Sequence, residues 1–238
     1  MSSIIPTSGE SHRLKDSFYV RCGKRWFDAV TSLLGLLVLL PVFLLVAIAV
    51  SLDSPGYPFF LQNRVGKLGK TFRIIKFRTM RIAAGEAGAL ITASGDSRIT
   101  RVGRLLRKTK VDELPQLLNV LRGDMSLVGP RPEVPRYTEV YTPEQRRVFV
   151  MRPGITGPAA IAYANEEEIL SRQEDRERYY VTALLPAKLE IDLTYGRSIS
   201  FRQDAALLLG TFGKLLGQRP ITPEGMRPSS PPGIQEPS

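Results

Sequence analysis

The chain has 238 residues, and 33 Lys and Arg against 23 Asp and Glu give it a net charge of +10. That is enough length for one good core or two small ones, and enough positive charge to favour phospholipid, nucleotide or nucleic acid as partner. Cys22 is the only cysteine and His12 the only histidine, which excludes an intrachain disulfide and a thiolate metal cluster and leaves acid–base and metal chemistry to carboxylates.

Met1–Gly23 is polar without a hydrophobic core and is predicted to be a flexible leader. Lys24-Arg25-Trp26-Phe27-Asp28 follows, then an uncharged run from Ala29 to Leu52 that is long enough to cross a bilayer. Lys24 and Arg25 suit anionic headgroups, and Trp26 suits the interface. Pro41 lies mid-run, where it removes one backbone hydrogen bond and favours a kink. Cations outnumber acids on both flanks, so charge asymmetry does not choose between a span and a re-entrant segment.

Phe59–Val65 and Thr71–Met80 read as two strands of a hairpin turned by Gly66–Lys70. Alternation puts Phe72, Ile74, Lys76, Arg78 and Met80 on one face, where the two cations mark either an exposed edge or an anion site. Ile82–Ser97 is a Gly-, Ala- and Ser-rich loop. Arg98–Lys110 resumes helical spacing, with Ile99, Val102, Leu105 and Leu106 on one side and Arg98, Arg101, Arg104 and Lys108 on the other, a basic amphipathic helix suited to anionic lipid.

Lys108–Pro132, KTKVDELPQLLNVLRGDMSLVGPRP, is the most informative stretch. Leu114, Leu117, Leu118 and Leu121 form a helical stripe that Gly123 would end, and Pro115 is tolerable only in the first turn. The spacing therefore starts the helix near Asp112 and Glu113, at its positive end. As an isolated feature such a pair is an ordinary helix cap. With Arg104, Arg107, Lys108, Lys110 and Arg131 around it, the pair equally suits a phosphate-bearing substrate with a divalent metal.

Val128–Pro132 and Arg152–Pro158 are predicted as stiff turns, each carrying one Arg. Glu133–Val150 is helical in its second half, Asn165–Leu184 is a charged helical stretch, and Leu189–Gly196 precedes a helix over Ser198–Gly217 whose face is Phe201, Ala205, Leu208, Phe212 and Leu215. Gln218–Ser238 holds six prolines and is expected to be disordered. The chain thus divides into a leader (1–23), a membrane segment (24–53), a catalytic region (54–217) and a tail (218–238). The class is α+β, mainly helical, with a small β-hairpin and amphipathic interfacial helices.

Several ordered segments together resemble the bacterial sugar transferases, the monotopic phosphoglycosyl transferases that act on polyprenyl phosphate. They are KRWFDAV with Pro41 thirteen residues after Asp28, FFLQNRVG, FRIIKFRTM, VDELPQLLNVLRGDMSLVGPRP, RPGITG, and Asp192 with Asp204 twelve residues on. The resemblance runs from about Lys24 to Gly217. It implies a re-entrant membrane helix broken at Pro41, at the bacterial inner membrane with the catalytic part on the cytoplasmic face. It implies that Asp112 is a nucleophile toward the β-phosphate of a UDP-sugar, with UMP released and the phosphosugar held covalently before polyprenyl (undecaprenyl) phosphate takes it. Mg²⁺ is implied near the Asp112–Glu113 dyad, with Asp112 as its ligand. Lys76, Arg78, Arg131 and Arg152 are the expected phosphate contacts. Asp192 and Asp204 match acidic positions, either as acidic support or as caps and ion-pair partners. The partners implied are a UDP-sugar, polyprenyl phosphate and anionic lipid; a homodimer is compatible with the sequence.

The chain departs from many members after RPGITG. Pro158–Asn165 replaces a Trp-Ala-Gln-Val stretch, and Ala164 stands where those members carry an Arg that contacts phosphate. Two other classes fit parts of the sequence. A membrane-tethered nucleic-acid binder explains the charge but not the dyad, and the chain lacks an aromatic-rich basic strand set. A membrane-bound, metal-dependent phosphodiesterase would use the same acids with water as acceptor.

Overall fold

The computed structural model describes residues 18–81 and 96–215. The expected leader up to residue 17, most of the loop after Ile82 and the proline-rich tail lie outside the described residues. Residues 18–23, assigned above to the leader, are helical, and a π-helical turn at Tyr19–Gly23 runs directly into α1, Lys24–Asp53.

Helix α1 is 30 residues long, about 45 Å at 1.5 Å per residue. Pro41 lies inside it and the helix continues on both sides. Only Asp28, Ser32 and Val50 are buried along its length, while Leu37, Val38 and Leu45 stand 62%, 75% and 68% exposed. Both ends are nevertheless fastened to the rest of the protein. At the start, Asp28 Oδ1 accepts from the Leu127 amide at 3.0 Å, and the Lys24 ammonium bonds Asp204. At the end, Asp53 Oδ2 accepts from the Val102 amide at 2.8 Å. An apolar helix tied at both ends to one polar body lies along that body.

The hairpin forms as expected. β1 (Phe59–Val65) pairs antiparallel with β2 (Thr71–Phe77), Leu61 opposite Ile75. Met80, assigned above to the second strand, instead makes an isolated bridge to Ile99. Helix α2 (Arg101–Thr109) starts three residues later than its spacing implied, because Thr100 caps it by accepting from the Gly103 amide at 2.9 Å. Leu106 is buried but Leu105, expected beside it, is 62% exposed.

After α2 the chain turns through Lys110 into a short 3₁₀ turn, Val111–Glu113, and then into α3, Gln116–Arg122. The dyad thus sits in its own turn before the helix rather than in its first turn. Gly123 ends α3 with φ +92°, a left-handed conformation open to Gly without a Cβ penalty. The leucine stripe is only partly the buried face: Leu117 is buried with Gln116, Asn119 and Val120, whereas Leu114, Leu118 and Leu121 are half-buried. Asn119 explains the shift. Its Oδ1 accepts from the Ile75 amide at 3.0 Å and its Nδ2 donates to the Arg73 carbonyl at 2.8 Å, so it completes the open edge of β2.

The two stiff turns contain a second sheet. β3 (Ser126–Val128) pairs parallel with β4 (Gly154–Thr156). A Cβ on Gly154 would stand 2.2 Å from the Gly129 nitrogen, so this backbone approach requires glycine. Between the strands lie α4 (Pro135–Thr138) and a 3₁₀ segment, Gln145–Val150. Beyond them come α5 (Pro158–Ala162), α6 (Glu166–Ser171), α7 (Arg176–Tyr179), a π-helical turn at Tyr180–Leu184, α8 (Leu185–Ser198) and α9 (Phe201–Leu215).

Helix α9 turns only part of its apolar surface inward. Its buried positions include Asp204 and Leu207, while Phe201, Leu209 and Phe212 are 51%, 72% and 63% exposed. Phe201 packs edge-on to Phe27 at the start of α1, with ring centroids 5.4 Å apart. The large core gathers Val120, Met125, Val128, Leu170, Leu184 and Leu207 among others, and a smaller one joins Val50, Phe77 and Leu106. Val111 packs on the smaller core and Leu117 belongs to the larger, so the dyad is held between them.

Candidate active site

Three segments meet at the dyad. β2 contributes Lys76, the 3₁₀ turn contributes Asp112 and Glu113, and the Pro-flanked segment after β3 contributes Arg131. Lys110 makes the turn. It ends α2 with φ 57° and ψ 14°, a left-handed conformation that costs a side-chain-bearing residue roughly 1–2 kcal/mol. No side-chain pattern in the sequence announces this conformation. Lys110 is exposed, and its positive charge favours ionisation of both dyad carboxyls.

Asp112 and Glu113 are 8% and 7% exposed, yet their surroundings differ. Glu113 Oε1 accepts from Lys76 Nζ at 2.8 Å and from Arg131 Nη2 at 2.9 Å. Burial would raise its pKa, but the Arg131 and Lys76 charges outweigh this and hold it well below the usual carboxylate range. Arg131 is in turn held protonated by Glu113. Asp112 has a buried oxygen, Oδ1, with no hydrogen-bond partner. Burial raises its pKa, the neighbouring Glu113 charge raises it further, and Lys76, Lys110 and Arg107 pull the other way. One carboxylate is thus occupied as an anchor for two cations, and the other is desolvated and free.

The remaining expected phosphate contacts are committed elsewhere. Arg78 is 4% exposed and donates to the Pro55 and Ser54 carbonyls at 2.7 and 2.6 Å, so it ties the hairpin to the end of α1. Arg152 Nε donates to the Gly123 carbonyl at 3.1 Å, and Arg25 donates to the Val120 and Leu121 carbonyls at 2.6 and 2.7 Å. These two guanidinium groups cap the negative end of α3.

The two further acids also have structural settings. Asp204, fully buried, accepts from the Tyr19 and Tyr195 hydroxyls, both at 2.6 Å, and bonds Lys24, clasping α9 and α8 to the start of α1. Asp192 is buried with its Oδ1 unpartnered, and burial lifts its pKa to about 7 despite the nearby Lys188. Lys188 bonds Glu166 Oε2 at 2.8 Å and lies 5.2 Å from the centre of the Tyr180 ring, whose hydroxyl donates to Glu133. Glu166 and Glu133 both favour the charged form of Arg131, so this buried network, missed in the sequence, borders the dyad through that guanidinium. Ala164 is exposed between α5 and α6, two residues before Glu166.

A buried carboxylate pair among cations, on a body that carries one long exposed apolar helix, suits anionic substrates at a membrane surface. A family model described as bacterial sugar transferase matches residues 19–218, and the chain belongs to that family. It is 38% identical over 196 residues to a UDP-glucose:undecaprenyl-phosphate glucose-1-phosphate transferase of Caulobacter vibrioides, covering 81% of this chain and 69% of that protein. It is 42% identical over 195 residues to exopolysaccharide production protein PSS of Rhizobium leguminosarum bv. phaseoli, covering 79% and 92%. It is also 40% identical over 163 residues to a UDP-N-acetylgalactosamine-undecaprenyl-phosphate N-acetylgalactosaminephosphotransferase of Aeromonas hydrophila, and there it spans 66% of its own length but 38% of the relative's.

Proposed function

We propose that this protein transfers a sugar-1-phosphate from a UDP-sugar to undecaprenyl phosphate, in two displacements through Asp112. The observation that carries the reading is the division within the dyad: Glu113 is bonded to Lys76 and Arg131, and the adjacent Asp112 oxygen has no partner. An ionised Asp112 attacks the β-phosphorus of the UDP-sugar. The bond from that phosphorus to the bridging oxygen breaks, UMP leaves with the electron pair, and the sugar phosphate is held as an acyl phosphate on Asp112. A phosphate oxygen of the lipid then attacks the same phosphorus and expels the Asp112 carboxylate.

Glu113 holds the Lys76 and Arg131 cations beside the nucleophile, where they stabilise charge on the transferring phosphoryl oxygens. Among the described residues no three His, Cys, Asp or Glu gather as a metal cage. Mg²⁺ needs none, since it takes one or two carboxylates and fills its shell with water and phosphate oxygens. Asp112 is the residue that would hold it, and the ion would supply charge neutralisation for the diphosphate.

The proposed membrane seating rests on α1. Its Lys24, Asp28 and Asp53 side chains bond the same body from which the dyad projects, and the run between them is largely exposed. A straight span would draw one of these anchored ends through the hydrocarbon. The reading is a helix that enters and leaves the cytoplasmic face, with exposed Leu209 and Phe212 of α9 and Leu105 of α2 at the interface.

A UMP-release screen across UDP-sugars, with purified protein, Mg²⁺ and undecaprenyl phosphate, tests the reaction. Lipid-linked sugar diphosphate with stoichiometric UMP is expected. Free sugar phosphate without a lipid product would replace this reading with the hydrolase.

A further inference from the structure

The backbone on both sides of Arg131 is fixed. The Gly154 amide donates to the Pro130 carbonyl at 2.8 Å, Arg64 Nη1 donates to the Pro132 carbonyl at 3.0 Å, and the Val65 amide donates to the Glu133 carbonyl at 2.9 Å. The backbone does not decide which carboxylate the guanidinium bonds. Three act on its charge, Glu113 most strongly, then Glu166 and Glu133, and its ion pair is with Glu113. The other two are occupied. Glu166 Oε2 accepts from Lys188 Nζ at 2.8 Å. Glu133 accepts from the Tyr180 hydroxyl, and Lys188 Nζ and Arg64 Nη1 each stand 3.9 Å from one of its oxygens. Arg64 is otherwise spent on the Pro132 carbonyl and on Gln62 Oε1. Lys188, on α8 and 4% exposed, therefore serves both of the carboxylates that compete with Glu113.

We propose that Lys188 is a positioning residue for the transfer site: by holding Glu166 and neighbouring Glu133, it leaves Glu113 as the carboxylate that Arg131 bonds, and so keeps that cation beside Asp112. A buried carboxylate deprived of its cation is costly. Without Lys188, Glu166 loses its bonded cation, and Arg131 becomes the strongest remaining cation acting on it, ahead of Lys110. A guanidinium drawn toward Glu166 leaves the place that Glu113 gives it. The effect of Lys188 on turnover rests on the Asp112 reading given above; its effect on the pairing of Arg131 does not.

Two measurements on the full chain test this. In UMP release, with undecaprenyl phosphate and the UDP-sugar that the parent protein uses fastest, Lys188→Met should lower kcat roughly 10²-fold, the scale of a slightly misplaced catalytic group, with a smaller change in KM. Adding Glu166→Gln should recover most of that loss, because the competing carboxylate is gone. In urea denaturation, Glu113→Gln should cost less stability in the Lys188→Met background than in the parent, because Arg131 has already left Glu113. A lysine that only supports the fold would lower the thermal midpoint, yet leave unchanged both the kcat of folded protein and the cost of Glu113→Gln. That result would overturn the proposal, as would a kcat loss that Glu166→Gln does not recover. Lys188→Gln, which keeps a donor for Glu166 without the charge, carries the same predictions if the methionine variant does not fold. If the parent releases no UMP from any UDP-sugar, the transferase reading falls, and the urea comparison alone decides whether Lys188 keeps Arg131 on Glu113.

Discussion

Lys76 Nζ lies 2.8 Å from Glu113 Oε1 and leaves the adjoining Asp112 Oδ1 without a hydrogen-bond partner. Two neighbouring carboxylates of nearly equal burial are thereby given different work. Asp112→Asn is expected to reduce UMP release by roughly 10⁴-fold or more, the scale of losing a nucleophile. The thermal midpoint should hardly change, because no hydrogen bond is lost from Oδ1. Retained turnover in purified Asp112→Asn would remove Asp112 from the chemistry.

Lys76→Met should behave differently. It leaves Glu113 with Arg131 as its one bonded cation, so the loss of stability should fall below the roughly 3–5 kcal/mol of a buried charge left wholly unpaired. Turnover should drop while the covalent step still proceeds slowly, read as a reduced single-turnover rate. A thermal midpoint and rate equal to the parent's would show that the ion pair has no role in the site.

The pH profile follows from Asp112. The nucleophile must be ionised, and burial raises its pKa above the ordinary 3.8. The acid limb of kcat/KM should therefore lie above that value and move further up in Lys76→Met, since Lys76 is the largest influence lowering it. A limb that moves down in that variant would contradict the assignment.

Asp192 gives a stability counterpart. Its folded pKa of about 7 exceeds the 3.8 of an unperturbed carboxyl. The folded state thus holds the proton more tightly, and stability is fully present below the unfolded value and lost as pH rises through about 7. Linkage caps the loss at roughly 4 kcal/mol. Asp192→Asn should flatten that pH dependence in urea denaturation, and an unchanged slope would mean that Asp192 ionises as freely as in the unfolded chain.

The hairpin, α2 and the Gly123 stop were legible because alternation, helical spacing and a glycine cap are local signals. The β3–β4 pair was not: each strand has three residues, buried in Gly- and Pro-bearing segments whose partner is remote in sequence. The dyad was found from its residues, but its 3₁₀ turn depends on the left-handed Lys110, which no side-chain pattern announces. Arg78 and Arg152 were expected as phosphate contacts because charge is visible in a sequence, whereas the carbonyls that accept their protons are not. The α9 stripe was legible from its spacing, but spacing alone does not say whether a stripe of apolar residues faces a core or a membrane.

Topology can be read from the protein's own thiol. Cys22 is free and exposed just before α1. A re-entrant course keeps it cytoplasmic, so an impermeant thiol reagent should label it only after the cells are opened. Pro41→Leu, which restores the missing backbone donor, should produce some labelling in intact cells and a matching loss of turnover. Labelling of the parent protein in intact cells would refute the re-entrant course and leave the Asp112 chemistry standing.

The most direct measurement is the intact mass of the purified protein after incubation with Mg²⁺ and its UDP-sugar in the absence of lipid acceptor. The account predicts one equivalent of UMP, a mass increase equal to one sugar phosphate, and an adduct on the peptide bearing Asp112 that disappears when undecaprenyl phosphate is added. UMP release that strictly requires the lipid, with no adduct at any time, or an adduct on Glu113 in place of Asp112, would contradict it.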